Sequence, residues 1–430
     1  MKRGNLIVGL DIGTTKICAV VGEVTQLKNK QPGSLPSGGT ADSWFDSIPS
    51  GINIIGVGSV PSKGLRKGVV VNIESTVESI KKAVEEAEIM ADIDIKAVCV
   101  GIAGGNINNF QSHGVIAVKE KEIGQAEIDR VIDAAKAVAI PLDREVLHVI
   151  PIGFTVDGQD GINDPRGMGG VRLEADVRII TGAVVSVQNL IKSCQKANLN
   201  VMDIVLEPLA SAEATLNHEE MELGVGIVDI GGGTTDIALF HEGSLCHTSV
   251  LTLGGSNFTN DIAIGMRVTT SEAERIKKNY GCSLLSMVKP NEEIEVFYQG
   301  DRPSRKVPRQ HLIEIIQPRA EELFYLVKEE IMKSGFYGVM SSGVVLTGGV
   351  ALMIGIDVMA ENILELPVRI GKPKGFGSIT DIVSSPIYST GVGLVLYGAK
   401  EIIAGQKLSN GIIFGGAMTK MKEWVTSIFK

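Results

Sequence analysis

Two stretches of this chain, roughly two hundred residues apart, read alike. Together they limit what it can fold into. The first is Val8-Gly9-Leu10-Asp11-Ile12-Gly13-Thr14-Thr15-Lys16-Ile17-Cys18-Ala19-Val20. The second is Ile227-Val228-Asp229-Ile230-Gly231-Gly232-Gly233-Thr234-Thr235-Asp236-Ile237-Ala238-Leu239. Each is an apolar run, an aspartate, a glycine-rich turn carrying Thr-Thr, and a second apolar run. Glycine accepts positive φ and lets backbone N–H groups converge. A turn of that kind makes an anion-binding nest, here rimmed by threonine hydroxyls. Asp11 and Asp229, beside the turns, suit Mg²⁺ held through water. Either stretch alone is equally an ordinary tight hairpin. The matched pair points to a duplicated architecture that clamps one polyphosphate from both sides.

The pair resembles the two phosphate motifs of the actin/Hsp70/sugar-kinase superfamily. The phosphate-binding residues are then Asp11, Gly13, Thr14, Thr15 and Lys16 on one side, and Gly231, Gly232, Gly233, Thr234 and Thr235 on the other. At 430 residues and 44% hydrophobic, the chain can bury two or more domains. A net charge of −9 argues against general nucleic-acid binding. Five scattered cysteines form no C-x-x-C and sit in apolar runs, as reduced core residues do. Six histidines show no metal-ligand spacing, so no structural metal is expected. The opening Met1-Lys2-Arg3 and its apolar run are no signal peptide, because Asp11 interrupts too early.

Along the chain, Leu27–Ser50 is rich in Pro, Gly and Ser and reads as a surface insertion. Ile73–Ala91 is a helix with Ile73, Val77, Ile80, Val84 and Ala87 on one face. Ile95–Asp164 reads as a self-contained insert. Ser256 or Asn257 is expected to cap a helix at Phe258–Met266, and Ser271 one at Ser271–Tyr280. Gln310–Ser334 is a long amphipathic helix.

Further constellations bear on chemistry. Thr347-Gly348-Gly349-Val350-Ala351 follows a buried strand, and Gly348, Gly349 and Val350 would let an adenine or ribose lie against the backbone. Glu274, Lys277 and Lys278 share a helix; Glu274 and Lys278 are either an i,i+4 ion pair or, with Lys277, contacts to ribose and adenine as in the E-x-x-K-K helix of Hsp70 proteins. Glu207 heads the helix E-P-L-A-S-A. It either polarises water for hydrolysis or complements a helix N-terminus. Glu207 and Asp229 are the candidate catalytic residues. Arg302, Arg305, Lys306 and Arg309 form a basic cluster on an acidic chain, either a solvated loop or a receptor for an acidic peptide. At the C-terminus Met418, Met421, Trp424, Val425, Ile428 and Phe429 share a helical face, with three lysines against one glutamate among the charged residues. At 1.5 Å per residue that segment spans roughly 20 Å, too short to cross a bilayer. It suits an anionic membrane surface, with docking on the protein's own core as the alternative.

In combination these residues resemble the FtsA family of bacterial cell-division proteins. The motifs are G-L-D-I-G-T-T-K at 9–16, E-P-L-A-S-A-E-A at 207–214, I-V-D-I-G-G-G-T-T-D at 227–236, G-G-S-N-F-T-N-D-I-A at 254–263, L-T-G-G-V-A at 346–351 and the amphipathic tail. The resemblance implies an α/β actin-like fold: two duplicated domains flanking a nucleotide cleft, subdomain 1B absent and a 1C insert present. It implies subdomain 1A at 1–94, 165–199 and 367–400; 1C at 95–164; 2A at 200–242 and 312–366; and 2B at 243–311. A linker at 401–416 and a membrane-targeting helix at 417–430 would follow. It further implies ATP with Mg²⁺, self-association into protofilaments, and tethering of the FtsZ C-terminal peptide to the cytoplasmic face of the cell membrane at the division site. Other division proteins are possible partners. Hydrolysis would be slow at most. A sugar-kinase-like enzyme, an Hsp70-type chaperone and a PilM-like pilus scaffold are the rivals, and the tail and linker discriminate against them.

Overall fold

Both glycine turns close hairpins. In a computed structural model that describes residues 5–24, 51–120, 122–298, 303–374 and 380–403, β1 (Asn5–Ile12) and β2 (Lys16–Val24) run antiparallel with Ile12 opposite Ile17. Val and Ile suit the pleated strand, and Ile17 through Val21 are fully buried, as in a sheet covered on both faces. β3 (Ile52–Pro61) extends the meander. A short ribbon, β4 (Leu65–Arg66) with β5 (Val69–Val70), leads to α1 (Ile73–Ala91). The Asn72 side chain caps α1 by accepting the Ser75 N–H. Val77, Ile80, Val84 and Ala87 are buried as their spacing predicts, Ala83 joins them, and Ile73 at the helix start is half-buried. β6 (Ala97–Ile102) then returns parallel to β1.

An antiparallel unit follows. It comprises β7 (Ile107–Ala117), α2 (Gln125–Lys136), β8 (Arg144–Val156), β9 (Gln159–Ile162) and β10 (Arg172–Ala183), with strand order β7-β10-β8-β9. Ile128 and Val131 of α2 pack on Leu173, Val177 and Ile179. α3 (Val184–Lys196) and β11 (Asn200–Leu206) complete the first sheet, in the order β11-β6-β1-β2-β3.

The second half repeats the scheme. α4 (Glu207–Thr215) and α5 (His218–Leu223) precede β12 (Val225–Ile230), β13 (Thr235–His241) and β14 (Ser244–Leu251). Next come α6 (Gly255–Met266), α7 (Thr270–Tyr280), the hairpin β15 (Glu293–Val296) with β16 (Arg305–Pro308), and α8 (Arg309–Lys333). β17 (Val344–Thr347), α9 (Ile356–Leu364) and β18 (Val368–Ile370) follow, then α10 (Thr380–Val383) and α11 (Ser389–Ile403). The second sheet runs β14-β13-β12-β17-β18. Position for position this is the first sheet's order and strand sense: an antiparallel meander, then two parallel strands. The duplication implied by the two hairpins is therefore a duplication of whole sheets.

Several expected boundaries move. The insert does not run 95–164: β6 pairs with β1 and β11 in the first sheet, whereas β10 pairs with β7 and β8. The unit lies between the end of β6 and the end of β10. β14 belongs to the second sheet, so the smaller layer begins at α6 rather than at 243. β18 pairs with β17, so the second sheet extends past 366. α11 continues to Ile403, into the span expected as linker. Thr269, not Ser271, caps α7, and Asn257 accepts the Gly254 N–H within the first turn of α6. Leu27–Ser50, Arg302 and the C-terminal tail lie outside the described residues.

α11 crosses from the second half onto the first. Val392, Val395, Leu396 and Ala399 pack with Ile7, Cys18, Val20 and Ile54. It also lies against α4 so closely that a Cβ on Gly393 would stand 1.7 Å from the Ala210 carbonyl oxygen. Gly393→Ala should therefore push two backbones apart. The expected loss is about 3 kcal/mol of stability, read as a lowered midpoint in urea denaturation.

Candidate functional site

The two hairpins meet tip to tip. The Gly13 N–H donates to the Lys16 carbonyl at 3.0 Å, and the Gly231 N–H donates to the Thr234 carbonyl at 2.9 Å, so both turns close the same way. A Cβ on Gly232 would stand 2.4 Å from the Thr15 hydroxyl, and one on Gly233 2.6 Å from the Thr14 hydroxyl. Only glycine permits that approach. Thr14 Oγ1 accepts the Gly68 N–H at 3.0 Å, which brings the β4–β5 turn over the first hairpin. α6 begins on the second hairpin: the Gly255 N–H donates to the Gly231 carbonyl and the Ser256 N–H to the Gly232 carbonyl.

Beneath the tips lies a group of carboxylates. Asp11 and Asp229 end β1 and β12 and are both buried. Asp229 Oδ2 accepts from the Ser211 hydroxyl at 2.6 Å and the Thr390 hydroxyl at 3.1 Å. Asp236, on β13 opposite Asp229, is buried; Thr234 donates to one of its oxygens and the other has no partner. Glu207 joins them from the head of α4, its side chain filling the space a Cβ on Gly101 would take. Burial pushes the Glu207 carboxyl well up, and Asp11, Asp236 and Asp229 push it further. Burial raises Asp229 too. Burial and then Asp229 raise Asp236 to about 8. Lys16 is the cation set against them, 3.2 Å from Asp11. Burial alone would lower its pKa, but Asp11 reverses the sign and holds it protonated.

The structure gathers most of the residues singled out in the sequence. Gly348, at φ +85°, sits against Asp229: a Cβ there would lie 2.4 Å from Oδ1. Val350 approaches Gly255, whose carbonyl accepts from Lys277 at 2.9 Å. Lys277 also pairs with Glu274 at 2.6 Å and bonds the Thr259 hydroxyl. Lys278 is 71% exposed and reaches Glu274 at 3.4 Å. In the basic cluster Arg305 and Lys306 are exposed on β16, whereas Arg309 is bound to Glu292 and to the Tyr280 carbonyl. All five cysteines are buried and none is in a disulfide.

Sequence reasoning passed over Asp236, Ser211 and Thr390. Asp236 carried a signal. It stands where the first hairpin has Cys18, a charge inside an apolar strand. Ser211 and Thr390 are unremarkable in sequence, and only the approach of α4 and α11 to β12 reveals them.

The donor set fits a divalent cation held through water. Several carboxylates repel one another, one buried oxygen is orphaned, and among the described residues no three acidic, histidine or cysteine groups are placed to grip an ion directly.

A pH dependence follows for the protein without cation. Folded, Asp236 keeps its proton up to about 8; unfolded, only to about 4. Between those values the folded state binds more protons, so stability falls as pH rises through that window. Asp236→Asn cannot ionise. In EDTA its melting temperature should exceed the parent's by about 2 °C or more at pH 9, with the gain shrinking toward pH 4. Differential scanning calorimetry across pH reads this.

Comparison with known proteins places this geometry. Residues 226–393 match the model of the cell division protein FtsA, and residues 104–181 match that of the SHS2 domain inserted in FtsA, which is the β7–β10 unit. A cell division protein FtsA from Pseudomonas aeruginosa is 45% identical over 436 aligned positions, covering 100% of this chain and 99% of that one. Among solved structures, the PilM-PilN type IV pilus biogenesis complex matches at TM-score 0.61 and 18% identity, over 91% of this chain and 98% of that one. MreB5 of Spiroplasma citri bound to ADP matches at 0.51 and 17%, over 94% and 97%. These two share the actin-like fold. With its duplicated sheets, its inserted domain and its near-complete alignment to a curated relative, the chain belongs to the FtsA family of cell division proteins.

Proposed function

We propose that this chain binds ATP with Mg²⁺ in the cleft between its two sheets, assembles into protofilaments, and tethers FtsZ to the cytoplasmic face of the cell membrane. The observation that carries the nucleotide reading is the convergence of two matched glycine hairpins over one carboxylate cluster. The structural relative MreB5 has been solved with ADP and with AMPPNP, which supports the ligand class.

The hairpin N–H groups at Gly13–Thr15 and Gly231–Thr234 supply donors for phosphate oxygens, and Lys16 adds a fixed cation. Asp11 and Asp229 would hold Mg²⁺ through its water shell, and the ion would supply charge neutralisation. Glu207, whose carboxyl burial and the neighbouring Asp11, Asp236 and Asp229 make more basic, is the residue placed to accept a proton from water. It also stands in the first turn of α4, where a carboxylate complements the helix dipole. Glu274, Lys277 and Lys278 from the smaller layer, with Gly348, Gly349 and Val350, frame the nucleoside end. ATP acts mainly by closing the cleft and setting filament geometry, and hydrolysis is slow or incidental.

Arg305 and Lys306, with Arg302, offer the FtsZ peptide its basic contact. Arg309 braces that hairpin from within. The face Met418, Met421, Trp424, Val425, Ile428 and Phe429 anchors the chain at the lipid surface, and among the described residues no helix is long and apolar enough to cross a membrane. The pilus-scaffold alternative shares the fold at 18% identity, against 45% for the division relative.

Asp229→Ala should weaken ATP binding at least tenfold and abolish its Mg²⁺ dependence in calorimetric titrations with and without EDTA. Unchanged values would remove Asp229 from the site. Co-sedimentation with anionic vesicles and ATP should pellet the full chain, and FtsZ with it, but not a chain ending at Gly416. Pelleting of neither chain would make the tail a docked core helix.

A further inference from the structure

A groove outside the cleft separates the inserted unit from the second sheet. Its volume is about 560 Å³, and its walls are Gly105, Ile107–Phe110 and Thr248–Val250. That size falls within the range of ordinary ligand pockets. Both walls are strand edges. Among the described residues β7 pairs only with β10, and β14 only with β13, so each leaves one row of backbone groups unpaired. Asn109 bridges the gap, its Nδ2 donating to the Thr248 carbonyl at 2.6 Å.

The polar groups around this groove are short of partners. Among the described residues seven buried side-chain polar atoms lack a hydrogen bond: two, Thr248 Oγ1 and Ser249 Oγ, belong to residues of the groove wall, and His247 Nε2 and Arg178 Nε lie beside it. Arg178 donates to Asn109 Oδ1 at 2.9 Å, which ties it to the groove wall. Among the described residues it has no carboxylate partner. Elsewhere on the same face of β10 the arrangement is the reverse: Glu174 and Asp176 both meet His113, and Arg172 meets Glu174. A buried polar group without a partner is costly, and so is a half-buried guanidinium without a counter-charge. The nucleotide cleft uses none of these residues.

We infer that this groove receives an extended peptide segment of a partner, one carrying an acidic side chain opposite Arg178. Two free edges supply main-chain donors and acceptors along a strand, which is how edge strands take up a peptide. The missing carboxylate at Arg178 fixes the peptide's register and sign. Asn109, which now occupies the Thr248 carbonyl, gives way to the added strand. The insert and the second half are thereby joined through one bound segment.

Random octapeptides displayed on phage, panned on the full chain with Mg-ATP, provide the test. Enriched peptides should share one Asp or Glu at a fixed position. As synthetic peptides they should bind the parent chain and lose at least tenfold in affinity with Arg178→Gln. Asn109→Asp places a carboxylate on Arg178 from within and should weaken the same peptides. It carries the test should Arg178→Gln fail to fold. Hydrogen exchange should slow at 107–110 and 248–250 on binding. The proposal fails if no peptide is enriched, if enriched peptides bind parent and variants alike, or if protection appears elsewhere. It fails too if free glutamate displaces the peptides completely, since the groove would then be a small-anion site.

Discussion

The contact between Thr14-Thr15 and Gly232-Gly233 is the constraint on which the rest depends. Two sheets of identical topology could pack in many ways. This one requires a turn without side chains on one sheet facing a turn with hydroxyls on the other, at distances no Cβ would allow. Once the tips touch, Asp11 and Asp229 must both lie in the space beneath, because each ends the strand that feeds its turn. The repulsion among carboxylates is thus a consequence of the duplication. The fold offsets it only partly, with Lys16 and the hydroxyls of Ser211 and Thr390. The cluster keeps an orphaned oxygen and carboxyls pushed above their ordinary range.

The architecture was legible in the sequence where periodicity or turn chemistry was local. The helix Ile73–Ala91 and both hairpins stand where their patterns put them, because a stripe at three and four or a glycine turn is decided within a dozen residues. Boundaries that depend on pairing were not legible. β6, β10, β14 and β18 differ in length and polarity, and nothing in their own residues says which sheet each joins. Assigning β6 to the insert and β10 to the first domain follows chain order. The sheets follow hydrogen bonds across long separations instead. The cap of α7 failed for a smaller reason: Thr269 and Ser271 both carry a hydroxyl, and only the backbone angles at Thr269 select it.

The candidate site divides the same way. Residues inside the repeated motif could be listed from the motif. Asp236 was visible as a misplaced charge. Ser211 and Thr390 were not, since they reach Asp229 only because α4 and α11 converge on β12 from positions 18 and 161 residues away. Arg309 shows the opposite error. Grouped by sequence with exposed Arg305 and Lys306, it is in fact 12% exposed and held by Glu292.

One hydrogen bond runs from the inserted unit to the head of α4. The Leu206 N–H, one residue before Glu207, donates to His148 Nε2 on β8 at 3.0 Å. Burial pushes the His148 pKa down to about 4, so the ring stays neutral and can accept that bond at any pH near neutrality. Acceptance at Nε2 fixes the proton on Nδ1. The start of α4 is therefore gripped from two sides: by the insert at Leu206, and by α11 at Gly393 and through the buried pair Glu213–Lys400 at 2.6 Å. Any shift of Glu207 on cleft closure must be taken up by one of these contacts. The backbone contact at Gly393 allows almost no slack, whereas the histidine hydrogen bond can lengthen or swing.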